Sequence, residues 1–197
     1  MIVPLVFLGV AIIIAMMMPL FTTMNIPTST DFIGVAEPKS TTFTCGAGQP
    51  QVTASPPKAT IDGTNLDYVV CDYSDAVTER LIWTYEMPTN MDSTGTIDVT
   101  VHFTTTGTAG ICWDVAFMPK ASGEAITTGS FSALSGGCDS ATVTGNLETA
   151  SITGITSATH TITAGDTVFI KLERDFADAG DTNTADARMI SFEMEWN

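Results

Sequence analysis

Basic residues are scarce in this sequence, and the first thirty positions contain none. Only 7 of the 197 residues are Lys or Arg, against 22 Asp or Glu, which gives a formal net charge of −15. A chain with this charge repels phosphate groups, which argues against DNA, RNA and anionic lipid headgroups as partners, although a lipid membrane stays possible for the apolar N-terminal segment. The basic residues that open a secretory signal peptide are also missing.

A metal-binding pattern is absent from the cysteines. The chain has four cysteines, none in a Cys-x-x-Cys pair, and only two histidines, so no zinc site is predicted. An even number of cysteines in an acidic, Thr-rich body predicts two disulfides and an oxidising compartment. Of the three pairings we favour Cys45–Cys71 and Cys112–Cys138, because each closes a loop between neighbouring elements. Four buried free thiols are the alternative.

Charge is also absent from Ile2 to Phe21, a stretch that is almost entirely apolar. About twenty residues of helix reach roughly 30 Å, the thickness of a bilayer core. We therefore predict a hydrophobic α-helix over residues 1–24, placed in a membrane or buried among copies of itself. Because it lacks a basic leader and a clear cleavage site, we expect it to be retained. The predicted assembly face consists of Val6, Gly9, Val10, Ile13 and Met17.

Good helix formers are sparse after residue 24, whereas Thr, Val, Ile and turn residues are frequent. This composition is typical of an all-β protein. Residues 25–64 are rich in Thr and Pro and are interpreted as an extended arm or linker, with short edge strands at 43–45 and 51–54. Residues 65–197 are long enough for one domain with its own core.

Alternation of apolar and polar residues marks the strands of this domain. The clearest case is Thr96–Thr104, where every second residue from Ile97 to Phe103 is apolar. Further strands are predicted at 66–72, 79–86, 110–118, 141–144, 150–152, 160–162, 166–174 and 188–196. In the strands predicted at 166–174 and 188–196, the apolar residues are predicted to face inward; they are Val168, Ile170, Leu172, Ile190, Phe192, Met194 and Trp196. The pattern predicts a single jelly-roll-like antiparallel sandwich preceded by the hydrophobic helix, with an immunoglobulin-like sandwich as the alternative.

Four segments carry a resemblance to a known module: residues 73–88, 96–103, 164–175 and 186–195. Together they resemble the jelly-roll domains of phage and archaeal-virus structural proteins. The resemblance spans roughly residues 65–197 and implies a sandwich fold without a catalytic motif. The apolar N-terminal segment is similar to that of pilin-like filament subunits, although the prepilin leader is absent.

Residues that could carry chemistry are few. Carboxylates cluster around Gly180 and form a candidate Ca²⁺ site, for which a solvated acidic turn is the simpler reading; they are Asp175, Asp178, Asp181 and Asp186. Aromatic residues on strands could stack on sugars, but core packing is the favoured reading; they are Trp83, Tyr85, Trp113 and Trp196. No nucleophile elbow, Walker loop or dinucleotide fingerprint occurs, so we expect no enzyme and no cofactor.

Two functions fit these features. The first is a structural subunit of an extracellular assembly, such as a pilus-like filament or a virion. Copies of the chain would then be its partners, with the helix in the core and the acidic sandwich outside. The second is a surface module anchored by a single membrane-spanning helix, with a glycan or a receptor as ligand.

Overall fold

The computed structural model describes residues 39–50, 56–62 and 67–197. The helix predicted over residues 1–24, its assembly face and the strand predicted at 51–54 lie outside these residues. Within the described residues, no helix is long and apolar enough to span a membrane. What the structure describes is a β-sandwich that belongs to one compact unit, Glu37–Asn197.

Eleven strands and one short 3₁₀ turn at Cys45–Ala47 make up the described fold. The strands are β1 Ser40–Thr44, β2 Gln49–Pro50, β3 Lys58–Asp62, β4 Asp67–Tyr73, β5 Arg80–Glu86, β6 Thr96–Thr105, β7 Gly110–Lys120, β8 Ser135–Ser140, β9 Glu148–Thr156, β10 Thr167–Arg174 and β11 Ala187–Trp196.

The strands form two antiparallel sheets. Sheet A has the order β3-β4-β11-β6-β9, with β1 also pairing with β11, and sheet B has the order β2-β5-β10-β7-β8. Successive strands alternate between the sheets from β4 to β7 and again from β8 to β11. This alternation gives the sandwich a jelly-roll-like topology, as the sequence predicted.

The core lies between the sheets, and alternation correctly identified much of it. Ile97, Val99, Val101 and Phe103 on β6 are fully buried, as are Val168, Ile170 and Leu172 on β10. Phe192 stacks on the ring of Phe43 at a centroid distance of 4.7 Å. Since Phe43 lies on β1, the residues assigned to the arm contribute to the core.

The described sandwich therefore starts earlier than residue 65. Strands β1 and β3 pair with β11 and β4, and β2 pairs with β5. The disulfide Cys45–Cys71 also joins this region to β4. The second disulfide, Cys112–Cys138, joins β7 to β8. These two bonds are the pairing favoured from the sequence.

Two predicted strands are wrong, and three strands of the described fold were missed: β2, β3 and β8. Residues 141–144 form a loop because the Glu148 carboxylate accepts hydrogen bonds from the backbone N–H groups of Thr142 and Val143. Residues 160–162 form a turn in which Thr161 has a φ of 56°. Strand β8 was missed because its sequence, Ser-Gly-Gly-Cys-Asp-Ser, has low strand propensity.

Buried Arg174 closes the core at the end where the β10–β11 loop, residues 175–186, crosses the sandwich. Its side chain is 0 % exposed and forms a bidentate ion pair with Asp181, with two N–O distances of 2.8 Å. It also donates hydrogen bonds to the carbonyl oxygens of Tyr73, Asn183 and Ala185. A buried guanidinium with this many partners organises the loop around itself.

Replacing Asp181 with Ala should lower the free energy of unfolding by about 3–5 kcal/mol, because it leaves the Arg174 charge buried without its counterion. Chemical denaturation followed by tryptophan fluorescence measures this change. The matched variant Asp67→Ala removes an exposed carboxylate and should change the unfolding free energy by less than about 0.5 kcal/mol. Equal effects of the two substitutions would contradict the assigned role of Asp181.

Candidate ligand-binding site

A depression of about 570 Å³ lies on the outer face of sheet A. We call it the sheet A pocket and define it by its lining residues, Tyr68, His102, Gly145, Leu147, Ile190 and Ser191. Tyr68 lies on β4 and His102 on β6, while Ile190 and Ser191 lie on β11. Gly145 and Leu147 belong to the β8–β9 loop. Its volume falls in the range of small-molecule sites, about 300–1,000 Å³.

A β-bulge in β11 creates the floor of this pocket. The register between β11 and β6 shifts between Met189 and Ser191, so that Ile190 has no partner on β6. Met189 remains buried in the core, while Ile190 and Ser191 both lie in the lining of the pocket on the outer face. The prediction that Ile190 points inward is therefore wrong, because strict alternation breaks where an extra residue is inserted. Beyond the bulge, Phe192, Met194 and Trp196 are buried as predicted.

The wall of the pocket is a loop held by a single carboxylate. Glu148 accepts hydrogen bonds from the backbone N–H and hydroxyl of Thr142 and from the N–H of Val143. The bonds from Thr142 are the main reason that the pKa of Glu148 is lowered. Within the same loop, Gly145 donates a backbone hydrogen bond to the carbonyl of Thr105. Leu147 therefore stands at a defined position beside the pocket, although 64 % of its surface is exposed.

One buried hydroxyl on the same strand as His102 lacks a partner among the described residues. Thr104 follows His102 by two residues on β6 and therefore shares its face. Its hydroxyl oxygen is buried without a hydrogen-bond partner in the described part of the chain. Such an atom is uncommon in folded proteins. Thr104 is not among the residues that line the pocket, and it lies opposite Arg188 of β11.

A row of charged residues crosses the outer face of sheet B. Glu173 on β10 is in register with Arg80 on β5 and with Asp114 on β7. Its carboxylate pairs with Arg80 at 2.8 Å and with Lys171 at 3.1 Å. Burial raises the pKa of Asp114 to about 6, and the negative charges of Asp175, Glu173 and Asp178 contribute to the shift.

The imidazole of His160 lies between the hydroxyls of Ser132 and Ser135. Its Nδ1 lies 2.6 Å from the hydroxyl of Ser132, and its Nε2 lies 3.4 Å from that of Ser135. Burial lowers the pKa of the imidazole. Neither ring nitrogen has a carboxylate partner among the described residues, so this arrangement lacks the acid of a catalytic triad. It ties the turn after β9 to the β7–β8 loop.

The four carboxylates predicted as a Ca²⁺ site have different surroundings. Asp181 is committed to Arg174, whereas Asp175 and Asp178 accept hydrogen bonds from Ala177 and Gly180 in their own loop. Within the described chain, the ligand-like group found near them is Cys112, Cys138 and Asp178. Its two sulfur atoms form a disulfide and are not available as thiolates. The Ca²⁺ site stays a prediction.

The aromatic residues considered for sugar stacking belong mainly to the core. Trp83, Trp113 and Trp196 are at most 3 % exposed, and Tyr85 packs against the core cluster. Trp83 donates its indole N–H to the carbonyl of Thr44. Tyr68, the aromatic residue of the sheet A pocket, was not singled out from the sequence. Its role depends on pairing with distant strands, which local alternation does not reveal.

A second depression of about 430 Å³ lies where the β7–β8 and β9–β10 loops meet. Its lining includes Lys120, Glu124, Thr161 and Asp166. Lys120 donates a hydrogen bond to the carbonyl of Thr128, and Asp166 accepts two from Thr163. These charged groups are therefore engaged within their own loops. The sheet A pocket is the stronger candidate because its surface is less occupied by internal hydrogen bonds.

No family model matches the chain, and no curated protein matches it. The resemblance to phage and archaeal-virus structural proteins therefore gains no support from these comparisons. Among solved structures, the CBM36-1 domain of a multidomain xylanase from the hindgut metagenome of Trinervitermes trinervoides is 13 % identical, with a TM-score of 0.43. That match covers 80 % of this chain and 98 % of the other.

Two further carbohydrate-binding modules are similar. The module CBM35 from Cellvibrio japonicus is 14 % identical with a TM-score of 0.44, and the match covers 79 % of this chain and 91 % of that one. A module from a Cellvibrio mixtus lichenase, in complex with cellotriose, is 11 % identical with a TM-score of 0.39, covering 80 % and 97 %. All three scores lie below 0.5, so these likenesses carry no argument about the ligand of this chain.

Asp114→Asn should stabilise the protein at pH 7 to 8 by about 1–2 kcal/mol relative to the unmodified chain. The pKa of Asp114 rises from 3.8 to about 6 on folding, so the native state binds more protons between these values. Asp114 therefore reduces stability progressively as the pH rises through this window. At about pH 4 or below, the two proteins should be nearly equal in stability. Thermal denaturation across this pH range tests the expectation, and a pH-independent difference would contradict it.

Proposed function

We propose that the sandwich is an extracellular glycan-binding module with the sheet A pocket as its binding site. The observation that carries this proposal is the β11 bulge, which places Ile190 and Ser191 on the face that also presents Tyr68 and His102. The pocket thereby combines an apolar floor, an aromatic ring and hydrogen-bonding groups in one open depression. A pyranose ring has matching chemistry, with C–H faces that stack on aromatic rings and hydroxyls around its edge.

The charge of the protein favours an uncharged glycan. With a net charge of −15, the chain repels sulfated or uronate-rich chains at long range. Near the pocket, the Arg188 guanidinium on β11 pairs with Asp72 on β4 at 3.0 Å, which occupies a nearby cation. A neutral oligosaccharide is not repelled by the net charge and does not need a free cation at the pocket. The ligand class proposed is therefore a neutral glycan.

We infer binding without catalysis at this pocket. Glycoside hydrolysis uses two carboxyl groups that flank the scissile bond. The described residues that line the pocket include none, whereas Asp114 and Glu173 belong to sheet B and are largely buried. A binding module requires only the apolar and hydrogen-bonding surface. The two disulfides support an oxidising, extracellular location for it.

Tyr68→Ala should weaken the binding of a neutral oligosaccharide by about tenfold, because the aromatic stacking surface is lost. An array of neutral glycans identifies the ligand, and calorimetry on the full chain in nonionic detergent measures its affinity. Tyr68→Phe keeps the ring and should retain most of the affinity. Val77→Ala, at an exposed site outside the pocket, should have no effect. Undiminished binding by Tyr68→Ala would contradict the proposed site.

A second candidate function is a structural subunit of an extracellular assembly. The uncharged, apolar run from Ile2 to Phe21 favours it, because such a segment is stabilised when it is buried among copies of itself. Burial of apolar surface contributes about 25 cal/mol per Å². In this function the sandwich is the outer part of the subunit, and glycan binding is not required.

Gly9→Glu should prevent polymer formation in the assembly function, because a charge at a close helix contact is not solvated there. Electron microscopy and sedimentation of the native material measure polymer content. The control Val77→Glu places the same charge on the exposed surface of the sandwich and should leave polymers intact. Polymers that still form with Gly9→Glu would exclude a helix core built on this face.

A further inference from the structure

The two disulfides differ in how they join the strands. Cys112 on β7 and Cys138 on β8 are directly opposite each other in the β-ladder, with Cα atoms 4.0 Å apart. Strand β8 is the last strand of sheet B. The Cys112–Cys138 bond therefore links the edge strand β8 covalently to its neighbour β7. Cys45–Cys71 instead links a 3₁₀ turn to β4 inside the core cluster.

The two disulfides also differ in accessibility. Cys45 and Cys71 are both 0 % exposed, so a reductant reaches them only if the core opens. Cys138 is an exposed residue, while its partner Cys112 is 2 % exposed. Thiol–disulfide exchange requires direct approach of a thiolate to one sulfur atom. Cys138 is therefore the exposed residue of the four cysteines, and a Cβ added at Gly180 would lie 3.1 Å from its sulfur.

Besides this bond, strand β8 is held by its backbone ladder to β7, by contacts with β9 and by the Ser135 hydroxyl beside His160. None of its six residues is buried, so it contributes no side chain to the core. A Cβ atom at Gly136 would lie 2.3 Å from Oδ1 of Asp114, and one at Gly137 would lie 2.4 Å from the carbonyl oxygen of Ser151. The backbone contact requires glycine at position 137, whereas at position 136 the Asp114 carboxylate would have to move. Glycine in a strand weakens it. The disulfide therefore adds a covalent link to a strand that has two glycines and no buried side chain.

We propose that Cys112–Cys138 is a thiol-exchange site for a dithiol reductant and that its reduction releases β8 from sheet B. A thiolate of the dithiol bonds to the sulfur of Cys138, and the sulfur of Cys112 leaves as a thiolate that takes up a proton. The second thiolate of the reductant then attacks the mixed disulfide and releases Cys138 as a second thiol. The dithiol ends as a disulfide, so two electrons pass to the protein.

Release of β8 would change one edge of the sandwich. The backbone of β7 from Gly110 to Val115 now pairs with β8, and it becomes a free edge once β8 leaves. An unpaired edge is a template for the addition of another strand. Reduction would thus convert a closed side of sheet B into one able to accept an extended segment. The proposal does not rest on glycan binding, although the loop that carries Gly145 and Leu147 of the sheet A pocket follows β8 directly.

Differential alkylation tests the proposal on the full chain in nonionic detergent without denaturant. After brief exposure to dithiothreitol, free thiols are alkylated and quantified by peptide mass spectrometry. Cys112 and Cys138 should be modified about tenfold or more faster than Cys45 and Cys71. Equal rates at all four cysteines, or no reduction before global unfolding, would overturn the proposal.

Hydrogen exchange tests the structural consequence. On reduction, amides of β8 and of the Gly110–Val115 edge should exchange faster, while those of β6 and β11 should remain protected. The double variant Cys112→Ser with Cys138→Ser should reproduce this pattern without reductant. The matched control Cys45→Ser with Cys71→Ser should instead lower protection across the whole sandwich. Unchanged exchange of β8 after reduction would overturn its release.

The carboxylate of Asp178 beside Cys138 allows a third test, in which the rate of reduction is measured. Oδ1 of Asp178 lies 3.9 Å from the sulfur of Cys138, so it repels an incoming thiolate. Asp178→Asn should therefore accelerate reduction severalfold at low salt and much less at high salt. Asp67→Asn, which removes an exposed charge on β4 of the other sheet, should leave the rate unchanged. An identical effect of both substitutions would contradict attack at Cys138.

Discussion

The conformation of the acidic β10–β11 loop, residues 175–186, depends on one buried guanidinium. Arg174 ends β10 inside the core, and its bonds to Asp181, Asn183 and Ala185 shape the loop that leads into β11. Asp181 also accepts the backbone N–H of Cys112, which ties the same loop to β7. Because β11 is the strand that pairs with β1, β4 and β6, the placement of this loop bears on sheet A as a whole.

The sheet A pocket follows from how β11 is shared among its neighbours. On one flank it pairs with β4 near its start and with β1 near its end, while β6 occupies the other flank. The bulge at Ile190 lies where the partner strand changes from β4 to β1. The extra residue allows Met189 and Phe192 to remain in the core while two neighbouring residues reach the outer face. The bulge thus forms a depression on the outer face of sheet A while the core keeps its packing.

Sequence alone predicted the parts of the fold that depend on local periodicity. The alternation in β6 and β10 identified their buried faces correctly because a half-buried strand repeats every two residues. The pocket was missed because the order Met189-Ile190-Ser191-Phe192 contains no sign of a register shift, which depends on β6. Strand β8 was missed because its glycines are selected by contacts with Asp114 and Ser151, which lie far away along the chain. The spacing of Cys138 from Cys112 was the available signal that this segment pairs with β7.

The close contacts of β8 have a consequence for how this sequence can diverge. Exposed positions usually tolerate substitution, since their side chains face solvent and contribute little to packing. Here a Cβ at Gly137 would lie 2.4 Å from the backbone carbonyl oxygen of Ser151, and a Cβ at Gly136 would displace the Asp114 carboxylate. Gly137 should therefore vary less in related chains than its place on an edge strand would suggest.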